Sequence, residues 1–535
     1  MKKNQLIVFA LFFTFSLLAQ KKSNFGPLMK IDRGYLPYIV GEDKNDLFAV
    51  KYKKETIIVE TFDKRRLRSA GVKEVEIEEL RGVREELEKL AYINDEIVYF
   101  TSLFDYRENE FDLIAQKLNP KNGKVTDKKV LFEKSTDRDR HKGEYEIYFS
   151  KNRKRILVRT YTYYKETDKT IENLILFNDK LELITEREYT ETGKTVNLSS
   201  SLLVDDEGSI YFVQNGEVVI LDAFNKFEEW RETLPLDNLE LGAEYRRPVI
   251  TLNKDLDLVI SAYYVTTDIE DLDKDDVNKA RKDRKEGDTQ MEGVVFFKVN
   301  TLDKELEVVK HTVFGKDFID LFKTKKDLKK NYEAEIEDEF NINSVYSLDN
   351  GESFMVGEIF KKYTSTDQNG NVTGEQEHYL DMILIHFGSD GQVLWKDRLP
   401  KEQVYYWSQF LMGFNFNSAG TNFFIIPPGL NAYFHEKVIR TEDKVYIVYN
   451  DLAENRAGNS YVHDLKTFKK FKKGVPIVQT IDLKRGSRKG AITNSLVKPK
   501  FWLKPGGMYH SKIDGDVYYF ITYKRKMHMA KTTFK

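Results

Sequence analysis

The 535-residue chain contains no cysteine. Disulfides, thiolate metal sites, cysteine nucleophiles and iron–sulfur clusters are therefore excluded, as is a lipid-modified amino-terminal cysteine. Proline is scarce, at 11 residues, and no Ser/Gly-rich tract interrupts the chain, so no linker divides it into domains. Tryptophan is rarer still, with 4 residues. An excess of one charge is also missing. The 85 Lys plus Arg and 87 Asp plus Glu leave a net charge of −2, which sets up no global field for nucleic acid or an anionic membrane. Beyond the first twenty residues no apolar run is long enough for a transmembrane helix. No Gly-x-Ser-x-Gly elbow, glycine-rich phosphate loop, dinucleotide fingerprint or His-Glu-x-x-His pair is present.

Residues 1–20 read as a secretory signal peptide. Lys2 and Lys3 form a positive start, and the apolar run Leu6–Leu18 leads into Ala19-Gln20, where cleavage is expected. Leucine three residues before that point departs from the small-residue rule. The expected location is the periplasm or the extracellular space, where a chain without thiols cannot mispair.

What is abundant is aromatic: 36 Phe and 30 Tyr, which suit the pleated surface of strands. Eight strand pairs recur along the chain: 46–52 with 57–62, 96–102 with 111–118, 155–161 with 173–177, 209–214 with 217–221, 257–264 with 293–299, 353–360 with 381–387, 444–450 with 476–481, and 516–523 with 527–534. Several second strands run into a related tail, as in 117–125, 299–308 and 386–395. Each reads as a strand, a turn carrying Asn, Asp or Gly, and a short edge strand. The turn Asp205-Asp206-Glu207-Gly208 plays the same part ahead of a first strand. Such repetition predicts an all-β, seven- or eight-bladed β-propeller with one short helical insertion, occupying residues 21–535 as a single domain. Eight blades follow if every pair is separate, and seven if the first and last segments complete one blade together.

Two insertions stand out. Residues 266–290 are dense in Asp, Lys and Arg without apolar period, and read as a flexible loop or solvated helix. Residues 315–338 place Phe318, Leu321, Phe322, Leu328 and Tyr332 at helical spacing. The polar tip 365–377 is expected to protrude. In 79–90, Leu80, Val83, Leu87 and Leu90 fit a helical stripe, but the repeat context favours an inner blade strand.

The stretches Ile383–Trp395 with Asp397–Gln403, Glu96–Ser102 and Asp516–Tyr523 resemble those of a large group of exported, uncharacterised propeller-like proteins of the Bacteroidota. The resemblance covers most of the mature chain. It implies a fold and an envelope location, and carries over no catalytic residue.

Candidate site residues are few. The eight histidines are scattered, with no pair at helical ligand spacing. The acidic stretch 268–276 lacks the glycine and bidentate Glu of a calcium loop. No metal site, cofactor or catalytic set is assigned. The densest aromatic cluster, Tyr405, Tyr406 and Trp407 with Phe410, Phe414 and Phe416, fits either a sugar- or protein-binding face or the packing of an inner strand. Arg246 and Arg247 precede another inner strand and could face the funnel mouth or serve in salt bridges. The leading expectation is a non-enzymatic binding or scaffold module with an envelope protein or glycan as partner, and no nucleic acid. The alternatives are a polysaccharide-active enzyme or lectin using cavity carboxylates, and a structural partner of an outer-membrane complex.

Overall fold

The computed structural model describes residues 23–534 apart from 31–36, 136–143, 193–201, 236–243, 266–290, 323–335, 337–339, 367–371, 409–436, 456–466, 468–473, 485–491, 496–501 and a few single or paired positions (54–55, 78, 81–82, 215, 442, 453–454, 524–525). Each strand pair legible in the sequence forms the two middle strands of an antiparallel sheet, and the described residues build eight such sheets of four or five strands.

In chain order, blade 1 holds Tyr38–Glu42, Asp46–Lys53, Thr56–Asp63 and Arg68–Glu76. Blade 2 holds Glu86–Ile93, Glu96–Asp105, Glu110–Leu118 and Val125–Ser135. Blade 3 holds Glu144–Phe149, Arg155–Tyr164, Lys169–Asn178 and Leu183–Thr192. Blade 4 holds Leu202–Val204, Ile210–Gln214, Glu217–Asp222 and Glu228–Thr233. Blade 5 holds Glu244–Leu252, Leu258–Val265, Gly293–Asn300 and Glu305–Val313. Blade 6 holds Phe340–Ser347, Ser353–Thr366, Val372–Phe387 and Val393–Leu399, with Gln403–Ser408 added. Blade 7 holds Lys437–Arg440, Lys444–Leu452, Gly474–Asp482 and Ile492–Ser495. Blade 8 holds Trp502–His510, Val517–Tyr523 and Lys526–Thr532, completed by Ser23–Phe25 and Met29–Lys30 from the other end of the chain.

The middle strands carry the apolar signal because neighbouring sheets cover both of their faces. Leu258–Val265 is buried at all eight positions, whereas the fourth strand of the same sheet, Glu305–Val313, has no buried residue. Eight apolar clusters fill the gaps, one between each successive pair of blades. The last joins Tyr518, Phe520 and Met529 of blade 8 to Ile39, Leu47 and Phe62 of blade 1, so the sheets close into a ring. Phe62 meets Phe520 edge-on at 5.3 Å between ring centroids, a geometry that adds about 0.5–1.5 kcal/mol to the burial itself.

The two ends of the chain share blade 8, and the ring still has eight blades, because the pair at 46–63 keeps a sheet of its own. The clasp pairs Ser23 with Thr532 and Phe25 with Ala530. Ser23 Oγ lies 2.8 Å from Thr532 Oγ1, and the Gly26 N–H donates to the Met529 carbonyl at 2.8 Å.

The related tails seen in the sequence are third strands running into Asx turns. The side-chain oxygens of Asn119, Asn178 and Asn300 each accept backbone N–H groups two to four residues on. Asp205 does the same for Glu207, Gly208 and Ser209, confirming its turn. Residues Glu86–Ile93 form the inner strand of blade 2, as repeat context favours, and Glu79–Leu80 with Val83–Arg84 form a short hairpin ahead of it. The described part of the 315–338 insertion is one helical turn, Lys316–Ile319, continued by the 3-10 turn Asp320–Phe322. It buries Phe318 and Phe322 beside Phe314. The insertion 266–290 lies outside the described residues. Among the described residues no helix is long and apolar enough to cross a membrane.

Two faces of the ring follow from the strand order. Turns between first and second strands, and between third and fourth, lie on one face, called here the turn face. The hairpins between second and third strands and the links from blade to blade lie on the other, the crossover face.

Candidate functional site

Blade 6 departs from the repeat. Its two middle strands have 14 and 16 residues, and only their proximal halves belong to the ring. Phe340–Ser347 pairs with the second strand up to Ile359, and Val393–Leu399 pairs with the third from Met382 onward. Past a register shift between Glu358 and Phe360, the ladder continues from Phe360–Tyr379 to Thr366–Val372. A bulge at such a place bends a strand and re-aims it. The chain then returns after Leu399, and Gln403–Ser408 pairs with Gly374–Tyr379 as a third strand. The result is a three-stranded arm on the crossover face. The seven residues Phe360–Thr366 reach about 24 Å beyond the ring at the usual rise per residue. The polar hairpin tip expected at 365–377 does protrude. Its described residues are paired strand, because backbone ladders need no apolar pattern.

A buried polar bracket holds the root of this arm. Lys401, on the return loop, ion-pairs with Glu358, and both side chains are completely buried. Asp381 pairs with Arg398 and accepts the Lys401 backbone N–H at 3.2 Å. Arg398 also donates to the Leu321 carbonyl of the short helical insertion and stacks on Phe322 at 4.7 Å. Gln403 Nε2 donates to the Asn450 carbonyl of blade 7. Next to it, Asp451 Oδ1 accepts the Leu452 N–H at 2.7 Å and Asn455 Nδ2 at 2.9 Å. Thr467 Oγ1 donates to Glu402 at 2.6 Å.

Burial dominates the electrostatics of the bracket. It pushes the Lys401 ammonium well below its ordinary range, against the pull of the Asp451 charge. It raises the Asp381 carboxyl even though Arg398 opposes the shift, and it raises Asp451 to about 6. Lys401, Glu358 and Asp451 are too deeply buried to touch a ligand. What the bracket does is fix the direction of the arm, since any displacement would strip a buried charge of its partner.

The candidates from the sequence fall on this same face. Tyr405, Tyr406 and Trp407 lie on the third strand of the arm, opposite Glu377, Gln376 and Glu375. Among the described residues their strand pairs with no inner strand of the ring. Their side chains, and Phe410, Phe414 and Phe416, lie outside the described residues. Arg246 and Arg247 sit inside the first strand of blade 5 rather than ahead of it, and the register shift between Arg246 and Val249 accommodates Pro248 in an inner strand. Arg246 Nη2 meets Glu244 at 3.1 Å, a partly exposed local pair. The Arg247 side chain is outside the described residues. No contact joins the two groups among the described residues, although they occupy neighbouring blades. Sequence reasoning missed Glu358, Asp381, Lys401 and Asp451. The segment 397–403 was visible, but nothing distinguishes a buried Lys–Glu pair among 85 basic and 87 acidic residues.

Among the described residues one group of carboxylates could hold a cation. Glu110, Asp112 and Glu133 bring one oxygen each within 4.8 Å of the others, on the third and fourth strands of blade 2. That places it toward the outer rim of the ring.

No family model matches the chain, and no curated protein matches it in sequence. Among solved structures, the β-propeller domain of the Trilobed protease from Pyrococcus furiosus is similar at 10% identity and a TM-score of 0.33, over 84% of this chain and 94% of that one. The WD40 domain of SCAP from fission yeast is similar at 9% identity and 0.32, over 96% and 98%. The Dos1 propeller is similar at 8% identity and 0.35, over 83% and 92%. Likenesses of this strength add nothing to the sheet topology, on which the propeller assignment rests.

Proposed function

We propose that this protein is an exported, non-enzymatic binding or scaffold module of the cell envelope that engages a macromolecular partner through the arm of blade 6. The observation that carries the reading is the arm itself. A three-stranded extension, aimed by a bulge and locked by buried ion pairs, is costly to build and serves no purpose in closing the ring. Loops and extensions on a rigid array are where propellers vary for binding. Tyr363, on the arm, is 54% exposed and packs edge-on against His378 at 5.2 Å, an aromatic pair suited to a protein interface.

The envelope location is inferred from the amino-terminal segment. Removal of residues 1–20 would leave the clasp strand Ser23–Phe25 intact, so export and ring closure are compatible. The polysaccharide-active alternative needs facing carboxylates at the funnel, and the three-carboxylate group of blade 2 lies on outer strands instead.

The test is a pull-down of the tagged protein from its native envelope with mass spectrometry, run beside a variant whose hairpin is shortened by removing residues 362–376. A stoichiometric partner is expected with the full chain and absent with the shortened one, whose circular dichroism and thermal transition should remain those of the ring. Glycan or peptide turnover by the purified protein would overturn the reading, as would capture of the same partner by both.

A further inference from the structure

At the opposite end of the ring, on the turn face, the first turn of blade 3 leans across the axis. Asn152 N–H donates to Asp206 of blade 4 at 2.8 Å. Arg153 Nη1 donates to the Tyr92 carbonyl of blade 2 at 2.8 Å and reaches the Val40 carbonyl of blade 1 at 3.5 Å. Lys512 Nζ of blade 8 donates to the Lys151 carbonyl at 3.1 Å. One turn can touch blades 1, 2, 4 and 8 only near the axis, so Arg153 and Lys512 stand at the end of the central channel.

Two features of this pair are unlike ordinary staples. First, among the described residues neither cation has a carboxylate partner. Among the described residues Arg153 is held by main-chain carbonyls on Nη1, and its Nε and Nη2 donors make no hydrogen bond. The guanidinium is thus fixed in orientation with its two-donor edge open, the geometry that takes an oxyanion bidentately. Lys512 Nζ likewise spends one of three donors. The acids nearby are engaged elsewhere: Glu42 accepts from Lys64, Ser511 and the Lys512 N–H, and Asp206 accepts from Asn152. Lys512 is pushed below its ordinary range by partial burial and then by Arg153 and Lys151, so the cations repel one another. Second, Arg153 occupies a left-handed backbone position, with φ 61°. The matching turns of blades 4 and 6 place Gly208 and Gly351 there, and blade 5 places Leu256, which points outward at 45% exposure. An arginine kept where glycine is the easy residue, and turned inward, points to use of its charge.

We propose that Arg153 and Lys512 form a binding site for a small oxyanion, a phosphate or carboxylate group, at the turn-face end of the central channel. The site is independent of the arm, which lies on the other face. Binding there would neutralise two mutually repelling cations and tie blade 3 to blade 8.

The test is calorimetric titration of the full mature chain with inorganic phosphate, and separately with acetate, at constant ionic strength set with sodium chloride. Arg153→Gly and Lys512→Met are measured beside it. Arg153→Gly installs the residue that blades 4 and 6 use, so the fold is expected to persist, and thermal unfolding without added anion checks this. Saturable binding of at least one probe by the wild type, weakened tenfold or more in both variants, is the expected result. Binding of phosphate alone assigns a phosphoryl ligand; binding of both probes assigns a carboxylate as well. No saturable binding by the wild type, or equal binding by Arg153→Gly, overturns the proposal, and loss in Arg153→Gly alone removes Lys512 from it.

Discussion

Asp451→Asn is expected to stabilise the protein near neutral pH, and the size of the effect follows from the site. Asp451 is 2% exposed, and burial raises its carboxyl from 3.8 to about 6. The folded state therefore binds a proton over a pH range in which the unfolded state has released it. A raised acid contributes stability that is full below the unfolded value and is lost as pH rises through the folded one. About two pH units separate the values, and at 1.36 kcal/mol each the wild type loses about 3 kcal/mol between pH 3.8 and a pH just above 6. Asparagine keeps an oxygen to accept the Leu452 N–H and Asn455 Nδ2 bonds, but has no charge to desolvate. Asp381, also raised by burial, is present in both proteins and cancels. The loss of attraction to Lys401 makes 3 kcal/mol an upper figure. Urea unfolding of both proteins at pH 4.5, 5.5, 6.5 and 7.5 should show the variant's advantage growing by about 2 kcal/mol across that series, most of it before pH 6.5. An advantage that stays constant with pH, or a variant that is less stable at pH 7.5, would refute the reasoning.

Other consequences can be checked in the same way. Arg159 is completely buried, held by Glu172 at 2.8 and 2.9 Å and by Glu146 at 2.7 Å; Arg159→Met strands two carboxylates and should cost about 3–5 kcal/mol in urea unfolding, with recovery when Glu146→Gln and Glu172→Gln are added. A Cβ on Gly41 would overlap the Tyr92 ring where blades 1 and 2 meet, so Gly41→Ala should destabilise by about 1–3 kcal/mol, read as a lower urea midpoint with unchanged slope. Deleting residues 21–30 removes the clasp and bares the edge of Lys526–Thr532; limited proteolysis should then cut first in blade 8, and a cleavage pattern equal to that of the intact chain would count against the clasp.

The strand pairs were legible because the middle strands of every blade are covered on both faces, and two-sided burial leaves a largely apolar run such as Val445–Tyr449 or Leu258–Val265. The Asx turns were legible because only a few side chains cap a backbone turn. The fourth strands were faint: Val125–Ser135 is exposed at eight of its eleven positions, so solvent places no apolar demand on it. The protruding tip of the arm was legible, but its third strand was not, since the pairing of Gln403–Ser408 with Gly374–Tyr379 is set by the return of the chain after Leu399.

By itself, then, the sequence determined the strand repeat, the turn chemistry and the absence of thiol chemistry, all of which depend on neighbours a few residues apart or on composition. Tertiary structure alone decided the count of eight blades, because the pair at 46–63 keeps a sheet of its own while Ser23–Phe25 crosses some five hundred residues to complete the last blade on Lys526–Thr532. It alone decided which charges matter. Lys401 meets Glu358, and Arg153 meets the carbonyls of Val40 and Tyr92, through the closure of the ring, and no local pattern encodes which of many lysines and arginines will be carried out of water.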